Sequence, residues 1–229
     1  MVPEWKAFFD VQEEDADGNV ITGDERRDVM ICDYKYNWDK EIYNHVKVVN
    51  KNGKDWYPGK WRREWMPIGY KNPNVTDVNF CYLRYADVVL MAAEAYNETG
   101  DTSEAWKLLN SVRKRAGARE ITTENYTELM KEKVYKLNFI SDADDAGKFR
   151  TALYWERGFE LAFEGQRKYD LIRWGVIKEA LTLFSSRSSV KSSYPAGDNF
   201  QKGKHELFPI PLDELQLNPM FESKNNPNY

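Results

Sequence analysis

Between Leu83 and Glu98 the only charged residues are Arg84, Asp87, Glu94 and Glu98. At the helical spacing of 100° per residue they fall within an arc of about 80°. The rest of the stretch is apolar or small, including Ala86, Val89, Leu90, Ala92, Ala93 and Tyr96. A helix apolar around most of its circumference must be packed on several sides, and its alanines let neighbouring helices come close. Gly100 is a natural residue to end that helix, and Asp101 can cap the next one, with Glu104 three residues on. The second helix repeats apolar positions at Ala105, Leu108, Leu109, Val112 and Ala116, then stops at Gly117. Two helices joined by so short a turn are antiparallel neighbours. This is a tetratricopeptide-like hairpin without a clear second copy of the roughly 34-residue signature.

The pattern continues with a third helix predicted from about Thr123 to Phe139 and an acidic turn over Ser141–Lys148. A fourth helix is predicted from about Arg150 to Phe163, ended or kinked at Gly165, with the pattern resuming to about Phe184. Ser185–Gly203 is rich in Ser, Lys and Gly and reads as a long surface loop. Leu207–Tyr229 reads as an apolar, mostly extended strap lying across the helices. Before Asp77 the chain is different, with turn-formers at Asp17-Gly18-Asn19, Asn52-Gly53-Lys54 and Tyr57-Pro58-Gly59. A hairpin is predicted across Asn52-Gly53, between Val46–Val49 and Trp56-Tyr57. The expected fold is therefore mainly α, with a loop-rich N-terminal third containing short strands. Residues 1–76 are expected to pack on the helical region 77–229 as one structural domain.

Composition removes several function classes. A chain of 229 residues needs no disulfide or metal to hold a core. Its 41% hydrophobic and 31% charged residues exclude both a membrane protein and a disordered one. The longest uncharged apolar run, Val88–Ala93, is far below the ~20 residues that cross a bilayer. Residues Met1 to Trp5 carry no basic or apolar targeting pattern. A net charge of −4 argues against nucleic acid as a partner. Cys32 and Cys81 could pair, sit buried or be free, and the buried reading is favoured.

The residues that carry chemistry elsewhere have simpler roles here. There is no phosphate-cradling glycine motif, so no nucleotide cofactor is expected, and His45 and His205 fit neither a metal nor a triad spacing. Asp15–Asn19 begins like a calcium loop, but Val20 and Arg26 occupy the positions of its Gly and Glu, so an Asx-rich turn is favoured and no metal is expected. Glu156, Glu160 and Glu164 stack along one helix face beside Arg157, Arg167 and Lys168. A glycosidase needs two carboxyl groups on either side of the sugar, so ion pairing is the better reading and no catalytic residue is expected. Arg84, Glu94, Arg157, Glu160, Arg167 and Asp170 are all expected to be paired packing charges.

Aromatic residues make up 14% of the chain, and five of the eight tryptophans lie before Asp77. Flat indole and phenol faces on loops can stack on sugar rings while polar neighbours take the hydroxyls. Trp38, Trp56, Tyr57 and Trp65 are the candidate glycan-binding residues. Trp61 is not included among them.

Four ordered segments resemble the SusD/RagB family of outer-membrane glycan-binding lipoproteins of Bacteroidetes. They are Leu83–Ala95 with Leu109–Gly117, then Glu156–Arg167 with Tyr169-Asp170-Leu171 and Arg173-Trp174-Gly175. The others are Phe208-Pro209-Ile210-Pro211 with Glu214 and Asn218-Pro219, and the closing Asn226-Pro227-Asn228-Tyr229. Asp24-Glu25-Arg26-Arg27 matches the family more loosely. The resemblance implies a SusD-like fold and non-enzymatic glycan binding at the outward face of the outer membrane. It implies a SusC-like TonB-dependent transporter as partner for import. Family members are longer, so this chain resembles their C-terminal portion. Membrane attachment is expected only through a lipid anchor that the chain itself does not carry, and the chain alone is expected to be soluble. The alternative is a helical-repeat scaffold for protein–protein interaction without sugar binding.

Overall fold

The computed structural model describes residues 12–14, 20–42, 44–50, 55–65, 79–127, 143–187, 195–221 and 224–229. The chain divides into two compact units, Met1–Arg167 and Lys168–Tyr229.

The first unit opens with short antiparallel strand pairs: β1 (Gln12–Glu14) with β2 (Val20–Thr22), and β4 (Tyr34–Asp39) with β5 (Asn44–Val49). Between them lie α1 (Arg26–Met30) and β3 (Ile31–Cys32), which pairs with β6 (Tyr57–Pro58). The expected hairpin between 46–49 and 56–57 is thus replaced: β5 pairs with β4 in a six-residue register from Tyr34↔Val49 to Asp39↔Asn44. The longer ladder, with Lys47 held over the Tyr34 ring at 3.7 Å, outweighs the shorter alternative. Asn52-Gly53 lies outside the described residues, although Asn50 and Trp56 on its flanks are tied by an indole-to-carbonyl bond of 2.8 Å.

The helices α2 (Tyr85–Glu98) and α3 (Thr102–Arg115) form the expected hairpin. Gly100 takes a φ of +96°, and the Asp101 N–H closes onto the Tyr96 carbonyl at 2.8 Å. Asp101 then caps α3 by accepting from the Glu104 N–H at 3.0 Å. The same closure recurs at the far end, where Gly117 has a φ of +66° and Ala118 donates to the Arg113 carbonyl at 3.0 Å. The fourth predicted helix is α4 (Asp145–Glu160), which begins inside the segment read as an acidic turn. Asp144 is the reason: its carboxylate accepts from the Gly147 N–H at 2.7 Å and starts the helix early. Most of the predicted third helix, residues 128–139, lies outside the described residues, as does the calcium-like loop Asp15–Asn19. The core of this unit is Leu90, Ala93, Ala105, Leu109, Phe149 and Ala152, all fully buried.

The second unit takes in all but the first residue of α5 (Arg167–Arg173), then α6 (Ile177–Arg187), α7 (Ala196–Asn199) and α8 (Leu212–Leu217). The pattern read as resuming after Gly165 is two helices, broken where Gly175 adopts a φ of +69°. The C-terminal strap departs from expectation. It contains α8, opened by Pro211 with Asp213 and Glu214 in the first turn, and Leu212, Leu217 and Met220 are exposed. What holds it is polar. Asn226 donates to the Phe208 carbonyl at 2.7 Å, Asn228 to that of Gly203 at 3.0 Å, and the Tyr229 hydroxyl to that of Leu207 at 2.9 Å. The closing Asn-Pro-Asn-Tyr is a clip. Cys32 is buried and Cys81, contrary to the favoured reading, is exposed; both are free. No helix among the described residues is long and apolar enough to cross a membrane.

Candidate functional site

The first unit carries a network of buried charges. Glu156, fully buried, receives Arg26 and Arg113, each at 2.6 Å. One turn on, Glu160 receives Arg84 at 2.5 Å, Arg115 at 2.6 Å and Arg26 at 3.0 Å. Glu164 receives Arg84 at 2.7 Å and the Lys60 ammonium, and Arg26 is clamped from behind by Asp24 at 2.7 Å. Arg157 pairs with Asp87 at 2.8 Å. Burial alone would raise the Glu160 carboxyl, but Arg26, Arg84 and Arg115 outweigh it and hold the group below the usual carboxylate range. Burial draws the Lys60 ammonium below the ordinary lysine range despite Glu164. The three glutamates expected to form ion pairs are each engaged by at least two cations.

The packing expectation also covers Arg167 and Asp170. Arg167 donates to the Tyr154 carbonyl at 2.7 Å and lies over its ring at 3.9 Å. Asp170 pairs with Arg173 at 3.0 Å.

The candidate aromatics lie on the strand ribbon and its flank. Alternation along β4 puts Tyr34, Tyr36 and Trp38 on one face, opposite Val49, Lys47 and His45 of β5. Trp38 is 53% exposed and Tyr36 48%, whereas Tyr34 is buried. His45 sets its ring edge-on to Trp38 at 5.1 Å. The 3-10 turn Arg63–Trp65 brings Glu64 against this face, where it accepts from the hydroxyls of Tyr34 and, at 3.0 Å, Tyr36. Burial and that bond push the Tyr34 phenol up to about 12, and the same bond holds Glu64 below its ordinary value. Arg62 lies over both Tyr34 and Trp65, at 5.3 and 5.5 Å from the ring centres.

Of the four residues singled out from the sequence, Trp38, Tyr57 and Trp65 present large exposed faces, at 53%, 51% and 52%. Trp56 is half-buried. Trp61 stacks on Phe80 at 5.3 Å and donates to the Phe163 carbonyl at 3.2 Å, consistent with a packing role. Tyr36 was missed, although its signal was present: Tyr34-Lys35-Tyr36-Asn37-Trp38 alternates aromatic and polar residues at the period of a strand. Beside Trp65 opens a cavity of about 470 Å3 lined by Trp61, Met30, Lys60, Arg84, Arg115 and Glu160, among others.

The SusD family model matches residues 4–229. Two curated relatives come from Formosa agariphila. SusD-like protein P25 is 37% identical over 142 residues, covering 62% of this chain and 23% of its own length. SusD-like protein P2 is 32% identical over 214 residues, covering 84% of this chain and 38% of its own length. Among solved structures, a SusD homologue from Bacteroides thetaiotaomicron superposes with a TM-score of 0.69 at 30% identity, over 90% of this chain and 41% of that one. A SusD superfamily protein from Bacteroides vulgatus gives 0.56 at 21% identity, over 100% of this chain and 44% of that one, which speaks for the fold alone. The chain spans less than half the length of each of these relatives.

Proposed function

This chain belongs to the SusD family, and from that premise we propose that it forms part of a non-enzymatic glycan receptor. The receptor sits at the outward face of the outer membrane, held by a lipid anchor, and delivers oligosaccharide to a SusC-like TonB-dependent transporter. The observation that carries the reading is the exposure of the Trp38, Tyr57 and Trp65 rings, with His45 beside Trp38 and Arg62 over Trp65. A pyranose stacks its C–H face on such a ring, with its hydroxyls left to neighbouring polar groups. Each stack contributes on the order of 1 kcal/mol, so two or three give a weak site that is strengthened by whatever else the receptor supplies.

The test is a glycan array on the purified chain, followed by calorimetry on the sugars it retains. Alanine at Trp38, Tyr57 or Trp65 is expected to weaken binding severalfold, with a smaller effect at Trp56. If all four variants bind as the parent does, the assignment is wrong.

One observation favours the second reading, a protein-interaction scaffold built on a tetratricopeptide-like hairpin. The outer face of α2 is apolar and open, with Tyr85 82%, Val88 42%, Met91 42% and Tyr96 44% exposed. A chain that binds no sugar on the array but retains a partner protein through this face would favour it.

A further inference from the structure

The cavity beside Trp65 is amphipathic in a way that the packing role of its charges does not use up. Its lining combines apolar residues, Val29, Met30, Trp61 and Trp65, with charged ones, among them Lys60, Arg84, Arg115, Glu160 and Glu164. In the linked network among the described residues, Arg26, Arg84, Arg113, Arg115 and Lys60 meet only Asp24, Glu156, Glu160 and Glu164. On the cavity's own lining, with the rim carboxylate of Glu25 counted, the four cations Arg26, Lys60, Arg84 and Arg115 stand against the three carboxylates of Glu25, Glu160 and Glu164. The most open of the four is Arg115, whose side chain is 56% exposed while the Glu160 it touches is buried at 2%. Arg115 reaches Glu160 through Nη2 alone, at 2.6 Å. A guanidinium has five N–H donors in a flat fork, and this one keeps an edge for a second anion. Glu25, exposed at the rim, supplies an acceptor for hydroxyls. The volume of about 470 Å3 is in the range of small-molecule sites and takes a sugar ring with room for a substituent.

We propose that this cavity is a subsite for an anionic sugar residue, its ring against Trp65 and its carboxylate or sulfate on Arg115. The proposal rests on the glycan-binding reading and extends it from the aromatic ribbon to an open, charge-selective cleft at its end. Trp65 belongs to both, so an oligosaccharide lying along the ribbon would place one residue at the cavity mouth. Arg115 is then the residue that sets the preference for acidic over neutral glycans.

The probes are galactose, galacturonate, galactose 6-sulfate and inorganic sulfate, titrated into the whole isotope-labelled chain. The readout is the indole N–H signals of Trp61 and Trp65, assigned with Trp65→Phe. Galacturonate and galactose 6-sulfate are expected to shift the Trp65 signal and to bind about fivefold or more tightly than galactose. Added salt should shrink that margin. Arg115→Gln should erase it in a chain whose unfolding stays cooperative, the melting temperature falling only as far as the loss of one of Glu160's three arginine partners requires. Arg115→Lys, which keeps the charge, should retain part of it. The proposal is overturned if galactose binds as well as the acids, if Arg115→Gln keeps the margin, or if sulfate alone matches galactose 6-sulfate. Failure of the two readings can be told apart. Oligosaccharide binding lost in Trp38→Ala without any gain from an acidic group leaves the ribbon and removes the cavity. Galacturonate binding at Trp65 in a chain that retains nothing on the array does the reverse.

Discussion

Glu156 and Trp38 lie in the same unit and show two opposite uses of side chains that sequence patterns treat alike. Around Glu156, charges that would be expected on a surface are buried and answered almost group for group by Arg26 and Arg113. Around Trp38, aromatics that would be expected in a core stand half open to solvent on a two-stranded ribbon. The first region gains its order from the cost of leaving a buried charge unpaired. The second has little burial to gain and can be altered without disturbing the helices. Buried ion pairing and exposed aromatic surface thus fall in separate parts of one unit, and Lys60, Trp61 and Trp65 line the cavity beside both.

The largest effect should come from breaking the network. Glu156→Ala leaves Arg26 and Arg113 buried without their carboxylate and is expected to cost about 3–5 kcal/mol in urea unfolding. An exposed charge of the same type, such as Glu104, should cost a small fraction of that.

The next variant probes how the ribbon is attached. A Cβ on Gly59 would lie 2.2 Å from the Val29 carbonyl oxygen, and the Gly59 N–H donates to the Met30 carbonyl at 2.7 Å. Gly59→Ala must push backbone apart, at a cost of about 1–3 kcal/mol. It should also weaken sugar binding by displacing Lys60 and Trp61. A wild-type denaturation midpoint would show that the approach is not as close as described.

Acid should act on the network. Glu160 is held below the usual carboxylate value, so its stabilising contribution is complete above about pH 4.3. That contribution is lost as pH falls through the lower folded value, when the protonated group no longer answers Arg26, Arg84 and Arg115. Urea midpoints measured from pH 7 down to pH 2 should drop in that window, and Glu160→Gln should flatten the drop.

The smallest stability effect is expected at the ribbon. Trp38→Ala should change unfolding free energy by less than about 1 kcal/mol, because the ring is half exposed, while weakening glycan binding about fivefold. A large loss of stability instead would move Trp38 from recognition into packing and undo the contrast.

Much of the helical part was legible because its signals are local. Asp101 caps and Gly100 and Gly117 end helices through bonds that span only a few residues, so the spacing alone places them. Asp144 was legible too, and was passed over when Ser141–Lys148 was read by its charge instead of by its capping chemistry. The ion pairing of Glu156, Glu160 and Glu164 followed from their common helix face. Their actual partners did not: Arg26 lies 130 residues from Glu156, and no pattern along the chain brings the two together.

The strands show where local reading ends. Asn52-Gly53 is a strong turn signal, yet β5 took the longer ladder with β4 and left Tyr57–Pro58 to Ile31–Cys32. Pairing depends on the whole register and on what each strand packs against, which is a property of the assembled unit. Exposure is the same kind of property. The aromatic content of the first third, the helical hairpin and its caps, and the family motifs are properties of the sequence by itself, since each depends on neighbours within a turn or on matching order. Which tryptophans face solvent, which arginine meets which glutamate, and the cavity that opens beside Trp65 were decided only by the tertiary structure. Those facts depend on segments far apart in the chain being brought within a few ångströms, and that free energy is summed over the whole packed unit.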